Sequence, residues 1–363
     1  MMESTTRPTQ AQERLYWNII RGIAIFLMLW GHCIQYCSLG SFPVFENGMF
    51  RAIYSFHMPL FMVVSGFLFS FSFEKRSLRG LLAHRAKSML WPIVGGTVLN
   101  NLLLVIPTLV LSHGQKLALF DGTLVQGWEY SLWFLWSVLA CSLAVGIACK
   151  TGKTPLQRGI YLALGTGFIA LFPNANENLF MYPFFLTGFF WARHRKAIAQ
   201  IFRKWKYGVL LLFPILLSFY RTEHYIYVTP MFSAEKGLAE SLRIDLFRFL
   251  IGLAGSGCCF ILTSLVLDRL PADGRTPKLL TALSRLGENS LPIYCLSVSL
   301  LSGYLPHIIH KCMEPFGYNL LAENWVFYNL VFTPLLAAIY CAGLLAVVRL
   351  LRKTGIHTLF FGR

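Results

Sequence analysis

The chain alternates long apolar runs with short polar breaks, and this pattern predicts a polytopic membrane protein. A helix that spans a bilayer needs about 20 mostly apolar residues. Reading the runs between polar, proline and glycine breaks yields ten candidate spans: 17–38, 50–72, 88–112, 131–148, 157–172, 179–192, 207–220, 245–267, 287–304 and 325–348. The fold class that we expect is all-α, a membrane bundle of about ten transmembrane helices.

The segments outside these runs are short, so the sequence predicts one membrane domain. We assign residues 1–16 to an N-terminal tail, 17–353 to the ten-helix domain and 354–363 to a C-terminal tail. The longer outer loops, 221–244 and 305–324, are too small for an appended folded domain, and no internal repeat is visible. The function should therefore lie within the helices.

Composition supports a membrane class and charge sets an orientation. Hydrophobic residues make up 56% of the chain and charged residues 13%, against roughly 25% charged residues in soluble domains. The net charge of +16 could suggest a nucleic-acid ligand. However, segments on one side hold 24 of the 32 Lys and Arg residues, the opposite loops hold 5 and the spans hold 3. Because basic residues mark cytoplasmic loops, we expect both termini in the cytoplasm, a cell (inner) membrane location and no nucleic-acid partner.

Several classes of chemistry lack their sequence signatures. The nine cysteines are an odd number, mostly within apolar runs, and form no CxxC pair or Cys/His zinc spacing. The sequence contains no GxxxxGK[ST] phosphate loop, GxGxxG, GxSxG or HExxH motif. We therefore expect no metal site, and neither a nucleotide-driven pump nor a serine hydrolase.

The first span, NIIRGIAIFLMLWGHCIQY, carries two ionisable residues, Arg21 and His32. Eleven helical residues leave a net rotation of about 20° and an axial separation of about 16 Å, so both face the same side. The orientation places Arg21 near the cytoplasmic mouth and His32 beyond mid-membrane. Ionisable groups within a bilayer usually serve function, although Arg21 could snorkel to headgroups and His32 could bond a neighbouring helix. Both interpretations remain open on spacing alone.

An arginine followed after ten residues by a histidine in the first span resembles the signature of the membrane acyltransferase-3 family. Further stretches are similar to that family and occur in its order. They are YSFHMPLFMVVSGFLFSF (54–71), SLWFLWSVLAC (131–141), YPFFLTGFFWAR (182–193) and LGENSLPIYCLS (286–297). The length fits the surface-glycan O-acetyltransferase branch that lacks a fused hydrolase-like domain.

The resemblance implies a membrane O-acyltransferase, most simply an O-acetyltransferase of polysaccharide modification. The donor would be acetyl-CoA entering from the cytoplasm, with no permanently bound cofactor. The acceptor would be a hydroxyl of a cell-surface or lipid-linked glycan on the far side, and lipid would surround the enzyme. The resemblance further implies that His32 is the catalytic base or acyl relay and that Arg21 helps to hold the donor.

The family often has an RxxR motif that contacts CoA, and here two basic pairs compete for that role. Arg76 and Arg79 form the literal match. Arg85 fits the family's position before the third span better, with Lys87 adjacent and Ser88 in place of the second arginine. The sequence does not choose between the two pairs.

Two histidine positions bear on catalysis. His57 begins the HMPLF element and could orient His32 or meet the acceptor, or it could be a packed histidine beside Pro59. Many family members carry a histidine shortly after the SLxIY element. In this protein the stretch from Tyr294 to Ser297 contains no histidine. Ser65 and Gly66 in the second span are expected to permit close helix packing.

Other functions and partners fit the same residues. Arg21 and His32 could line the path of a transporter or flippase for a lipid-linked glycan. The acyl acceptor could also be an antibiotic, a peptide or a lipid. Carboxylates on or near the outer side that could pair with His32 are Glu46, Glu129, Glu177 and Glu223.

Overall fold

The computed structural model of the protein describes residues 10–38, 42–111, 132–270, 276–298, 308–309, 311–312 and 324–362. These residues form helices joined by short connections, and none of them lies in a β-strand. Glu129 and most of the predicted loop 305–324 lie outside the described residues.

Most of the described residues lie in α-helices whose two ends are both described. These helices are α1 (Gln10–Cys37), α2 (Gly48–Tyr54), α3 (His57–Glu74), α4 (Leu78–Arg85), α5 (Trp91–Leu111), α6 (Trp133–Thr151), α7 (Pro155–Ile169), α8 (Ala175–Arg193), α9 (Arg195–Ser218), α10 (Leu238–Asp268), α11 (Lys278–Glu288), α12 (Ser290–Val298), α13 (Trp325–Lys353) and α14 (Ile356–Phe361). A π-helical turn, Ala86–Leu90, joins α4 to α5. A second π-helical turn, Tyr328–Phe332, lies within α13.

Each of the ten predicted spans overlaps one or two of these helices. Five helical stretches are long and apolar enough to cross a membrane: Gln10–Cys37, Gly48–Glu74, Trp133–Thr151, Leu238–Asp268 and Trp325–Lys353. The helical class and the multi-pass membrane character are therefore confirmed. The number of ten spans and the cytoplasmic termini stay predictions.

Local sequence signals explain where several helices begin and end. The Asn47 side chain accepts two backbone N–H groups from the first turn of α2, as an N-cap residue does. Thr154 and Gln157 form a reciprocal capping box at the start of α7. After α13 the chain turns at Gly355, whose φ of 74° is accessible to glycine at little cost.

The chain divides into two compact units, and each draws on three parts of the sequence. The first unit comprises Met1–Gly31, Phe45–Phe71 and Pro183–Ser290. The second unit comprises His32–Val44, Ser72–Tyr182 and Leu291–Arg363.

In the first unit α3 and α8 cross at backbone contact through a reciprocal pair of glycines. The position of a Cβ on Gly66 would overlap the carbonyl of Phe185, and a Cβ on Gly188 would overlap the carbonyl of Val63. Only glycine allows this approach on both sides, as is common where membrane helices pack. The expectation that Gly66 permits close packing is confirmed.

A second reciprocal pair joins α1 to α11. A Cβ on Gly22 would overlap the carbonyl of Leu283, and a Cβ on Gly287 would overlap the carbonyl of Asn18. The amino-terminal half of α1 is thereby fixed against α11, and this contact determines which side chains lie beside Arg21.

In the second unit the C-terminal helix α14 packs on α5. The indole Nε1 of Trp91 donates a hydrogen bond to the carbonyl of Leu359 at 3.0 Å. Gly95 lies against the carbonyl of Phe360 so closely that a Cβ would not fit. The segment that carries the predicted basic residues 85–87 is therefore supported by the end of the chain.

We predict that alanine at Gly66 or Gly188 lowers the apparent melting temperature of the detergent-solubilised protein by about 2–10 °C, since overpacking costs about 1–3 kcal/mol. Gly167→Ala in α7 is the matched control, because its Cβ would meet nothing within 4 Å. Thermal unfolding followed by size-exclusion chromatography measures the effect. Equal melting temperatures for all three variants would show that the helix contact is not as close as described.

The predicted orientation can be tested with a native thiol. Cys312 is exposed, whereas the other cysteines are buried or half-buried, and the charge pattern places Cys312 on the outer side. We expect a membrane-impermeant maleimide to label intact spheroplasts at this residue, and Cys312→Ser to remove the label. Labelling only after the membranes are permeabilised would show that Cys312 lies on the cytoplasmic side, and the predicted orientation would be wrong.

Candidate functional site

Arg21 lies in an open cleft of the first unit with a volume of about 390 Å³. This volume falls within the range of roughly 300–1,000 Å³ that is usual for small-molecule sites. The cleft is lined by Gln10, Glu13, Arg14, Trp17, Asn18, Arg21, Leu68, Phe71 and Glu288. We call it the Arg21 cleft.

A hydrogen-bonded chain crosses the wall of the Arg21 cleft. The guanidinium Nη2 of Arg21 donates to the Asn18 Oδ1. The Asn18 Nδ2 in turn donates to the Glu288 Oε1 at 3.0 Å. Since a guanidinium only donates and a carboxylate only accepts, the two partners fix the orientation of the Asn18 amide.

Further charges line or border the cleft, and sequence reasoning did not find them. The Arg14 Nη2 lies 3.7 Å from the Glu288 Oε1, and the Arg195 Nη1 lies 2.8 Å from the Glu13 Oε1. One local signal was available, because Asn18 precedes Arg21 by three residues and so shares its helix face. The position of Glu288 depends on the crossing of α1 and α11, which has no signature in the sequence.

The Arg21 guanidinium retains capacity for a ligand. Its Nε is buried and has no hydrogen-bond partner among the residues that the structure describes. Buried donors in folded proteins are nearly always paired. An unpaired N–H on a charged group at a cleft is therefore consistent with a site that accepts an anionic partner.

His32 belongs to the second unit, and its side chain is half-buried. Its Nδ1 lies 3.3 Å from the Gln35 Oε1, and its ring stacks on that of Tyr36 with 5.6 Å between centroids. An amide oxygen can only accept, so this bond places the proton on Nδ1 and the lone pair on Nε2. In that tautomer Nε2 is able to accept a proton.

The two predicted residues of the first span share one uninterrupted helix. α1 runs from Gln10 to Cys37, so Arg21 and His32 keep the spacing of about 16 Å that regular helix geometry gives. The Arg21 cleft and the surroundings of His32 are parts of different units.

His57 has a structural partner in its own element of the chain. Its side chain is only 3% exposed. Its Nδ1 lies 2.9 Å from the carbonyl oxygen of Ile53 and must therefore donate to it. The ring also meets the edge of Tyr54 with 4.8 Å between centroids. This arrangement is typical of a packed histidine, and a catalytic role for His57 stays a prediction.

The members of the two predicted basic pairs differ in burial. Arg85 is 8% exposed, and its burial together with the nearby charge of Arg76 lowers the pKa of its guanidinium to about 10. Arg76 is half-buried, whereas Arg79 and Lys87 are exposed. Arg76 and Arg85 are thus close enough for their charges to interact, although neither sequence alternative paired them.

The segment 221–229 of the first unit is fixed by a buried arginine that spacing did not single out. Arg248 in α10 is 1% exposed and pairs with Asp245 at 2.8 Å. Its guanidinium donates further bonds of 2.7–3.0 Å to the backbone carbonyls of Glu223, His224, Tyr225 and Thr229. With so many bonds made to the backbone, Arg248 serves as an anchor for this loop.

One of the candidate carboxylates, Glu223, has basic neighbours. The Glu223 carboxylate lies 3.9 Å from Lys236 and 3.7 Å from Arg243. Arg51 donates to the backbone carbonyl of Glu46 at 3.0 Å. Within the described part of the chain, no three His, Cys, Asp or Glu side chains group in a way that could hold a metal ion.

About half of the chain is similar to two curated proteins that carry the same name. The chain is 27% identical over 184 residues to nodulation protein NolL of Mesorhizobium japonicum, a match that covers 49% of this chain and 48% of the relative. It is 31% identical over 183 residues to nodulation protein NolL of Sinorhizobium fredii, which covers 48% of each. The chain thus spans about half the length of the curated relatives it matches. No solved structure matches this chain.

A family model described as an acyltransferase domain matches residues 14–351. This match includes the first span with Arg21 and His32 and all the predicted basic residues. Because it covers nearly the whole chain, the expectation of an acyltransferase is confirmed at the level of the family, and the chain belongs to the acyltransferase-3 family.

Proposed function

We propose that this protein is an integral membrane O-acyltransferase that transfers an acetyl group from cytoplasmic acetyl-CoA to a hydroxyl of a cell-surface or lipid-linked glycan. The observation that carries the proposal is the placement of Arg21. Its partly satisfied guanidinium lines a ligand-sized cleft, and its helix continues without interruption to His32.

The donor end of the reaction is assigned to arginines. A guanidinium remains charged and donates in a planar fork that suits phosphate oxygens. Arg21 would contact the donor in the Arg21 cleft. In the second unit, Arg76 and Arg85 form a second concentration of positive charge that would suit the phosphates of CoA.

His32 is assigned the proton transfer. Its Nε2 removes the proton from the acceptor hydroxyl, and the hydroxyl oxygen attacks the thioester carbonyl. A carbon–oxygen bond forms, the carbon–sulfur bond breaks, and the thiolate of CoA takes up the proton from His32. In the alternative order, the His32 Nε2 attacks the thioester carbonyl, the carbon–sulfur bond breaks and CoA leaves as the thiolate. The acceptor hydroxyl then displaces the acetyl group from the imidazole, and its proton passes to the CoA thiolate. In both orders Gln35 holds the ring in the reactive tautomer.

We predict that His32→Ala reduces acetylation of the acceptor by at least about 100-fold, the lower bound of a typical acid–base contribution. Mass spectrometry of surface polysaccharide from cells that carry the native gene, the variant or no gene measures the change. Immunoblotting of membranes controls for insertion. Unchanged acetylation in the variant would contradict the catalytic role of His32. Acetylation without release of free CoA would contradict acetyl-CoA as the donor.

A second prediction concerns the basic pair. Arg85→Gln should weaken CoA binding to the purified protein by about tenfold or more, because hydrogen bonds to charged groups contribute about 1.5–3 kcal/mol. Arg79→Gln, on the exposed face of the same helix, is the matched control and should change binding by less than about twofold. Microscale thermophoresis measures both dissociation constants. An effect of Arg79→Gln as large as that of Arg85→Gln would favour the literal RxxR pair instead.

A further inference from the structure

The hydrogen-bonded chain from Arg21 through Asn18 to Glu288 has one possible direction. The guanidinium donates to the amide oxygen and the amide nitrogen donates to the carboxylate. Reversal of the Asn18 amide would set two donors against each other at one end and two acceptors at the other. The chain therefore orders Asn18 and, through it, one edge of the Arg21 guanidinium.

A backbone contact between α1 and α11 holds Asn18, the middle link of the hydrogen-bonded chain, in place. Asn18 is 3% exposed, and its own carbonyl lies against Gly287. Glu288 follows directly in the sequence, so the contact between α1 and α11 also sets the position of its carboxylate. The three side chains consequently form a preorganised unit at the wall of the cleft.

The free edge of Arg21 then has a defined direction. With Nη2 bonded to Asn18, rotation of the planar guanidinium is restricted, and the Nε–H is left buried without a partner among the described residues. A phosphate oxygen that enters the Arg21 cleft would meet a guanidinium whose orientation is already fixed. Such preorganisation lowers the entropy that binding must offset.

Glu288 acts on Arg21 in two ways, because its negative charge attracts the guanidinium and its oxygen holds the Asn18 amide. A carboxylate in a cleft that receives a polyanion opposes binding, and its contact with the exposed Arg14 at 3.7 Å contributes little. Its bond to Asn18 supplies a reason for its presence, since it fixes the amide that orients Arg21.

We propose that Asn18 and Glu288 are positioning residues that orient the Arg21 guanidinium toward a phosphate group of the acyl-CoA donor, a role that rests on the proposed function. Both residues line the Arg21 cleft, but their proposed role is exerted through Arg21 and does not require a contact with the donor. Their effect on donor affinity is transmitted through Arg21, and they act as one unit.

Two variants at Glu288 separate the hydrogen bond from the charge. Glu288→Leu and Glu288→Gln remove the same negative charge, but only glutamine retains an oxygen that can accept from Asn18. Binding of CoA to the purified full-length protein in nanodiscs is measured for both. We expect Glu288→Leu to bind CoA about tenfold more weakly than Glu288→Gln, while Glu288→Gln binds within about threefold of the native protein.

Asn18→Leu removes the middle link of the hydrogen-bonded chain without a change of charge. We expect it to weaken CoA binding to the same extent as Glu288→Leu. The double variant Asn18→Leu/Glu288→Leu should be no weaker than either single variant, because residues that act as a unit are not additive. Melting temperatures recorded in parallel report any loss of α1–α11 packing.

Each outcome is decisive. If Asn18→Leu and Glu288→Leu lower the melting temperature yet bind CoA as the native protein does, these hydrogen bonds only stabilise the packing of α1 on α11. The proposal is then wrong. If the two Glu288 variants bind equally, charge rather than hydrogen bonding controls affinity and the proposal is again wrong.

The proposed function fails in a different way. If native protein binds CoA with the expected pattern of variants but transfers no acyl group, the positioning role stands and the reaction assignment falls. If His32→Ala abolishes acylation while the Asn18 and Glu288 variants bind CoA normally, the reaction stands and the positioning role falls. If the native protein does not bind CoA, both are overturned.

Discussion

The cost of an unpaired charge in a membrane helix is the constraint on which this account depends. Arg21 carries a permanent charge within the first apolar helix, where desolvation is unfavourable unless donors find acceptors. The protein supplies one acceptor, the Asn18 oxygen. The Arg21 Nε–H is buried and has no partner in the described chain. A binding site explains this incomplete compensation better than a purely structural arginine does. Arg248 shows the contrast, because its guanidinium bonds to four backbone carbonyls and one carboxylate.

Glycine contacts place these polar groups with precision. Hydrophobic burial contributes little to helix association in lipid, so close packing of backbones has to hold the bundle together. The pair Gly22 and Gly287 brings α1 against α11, and this contact is what sets Asn18 beside Glu288. The polar chain of the cleft therefore depends on two residues that have no side chain.

The sequence was sufficient for features that depend on neighbouring residues in the chain. Apolar runs of bilayer length predicted the helices, among them the uninterrupted α1 that carries both Arg21 and His32. That their side chains share one side of α1 stays a prediction. The bond from His57 to Ile53 is also local, since it joins residues four apart. That bond favours the packed-histidine interpretation which the sequence had left open.

Features that depend on tertiary contacts could not be predicted in the same way. Asn18 and Glu288 are 270 residues apart and meet only because two helices cross. The charges of Arg76 and Arg85 interact although the two residues are nine apart and fit no i, i+3 or i, i+4 spacing. The acceptors of Arg248 are backbone carbonyls, which leave no residue-specific pattern in a sequence.

The central claim, that the Arg21 cleft receives the acyl donor, is tested most directly by photocrosslinking. A CoA derivative with a photoreactive azide on its adenine ring, at the phosphate-bearing end of the molecule, would be irradiated with the purified protein in nanodiscs, and the labelled peptides identified by mass spectrometry. The account predicts a label on α1 residues beside Arg21 that excess CoA prevents and that Arg21→Gln strongly reduces. A label that lies elsewhere, or that persists in Arg21→Gln and in excess CoA, would contradict the account.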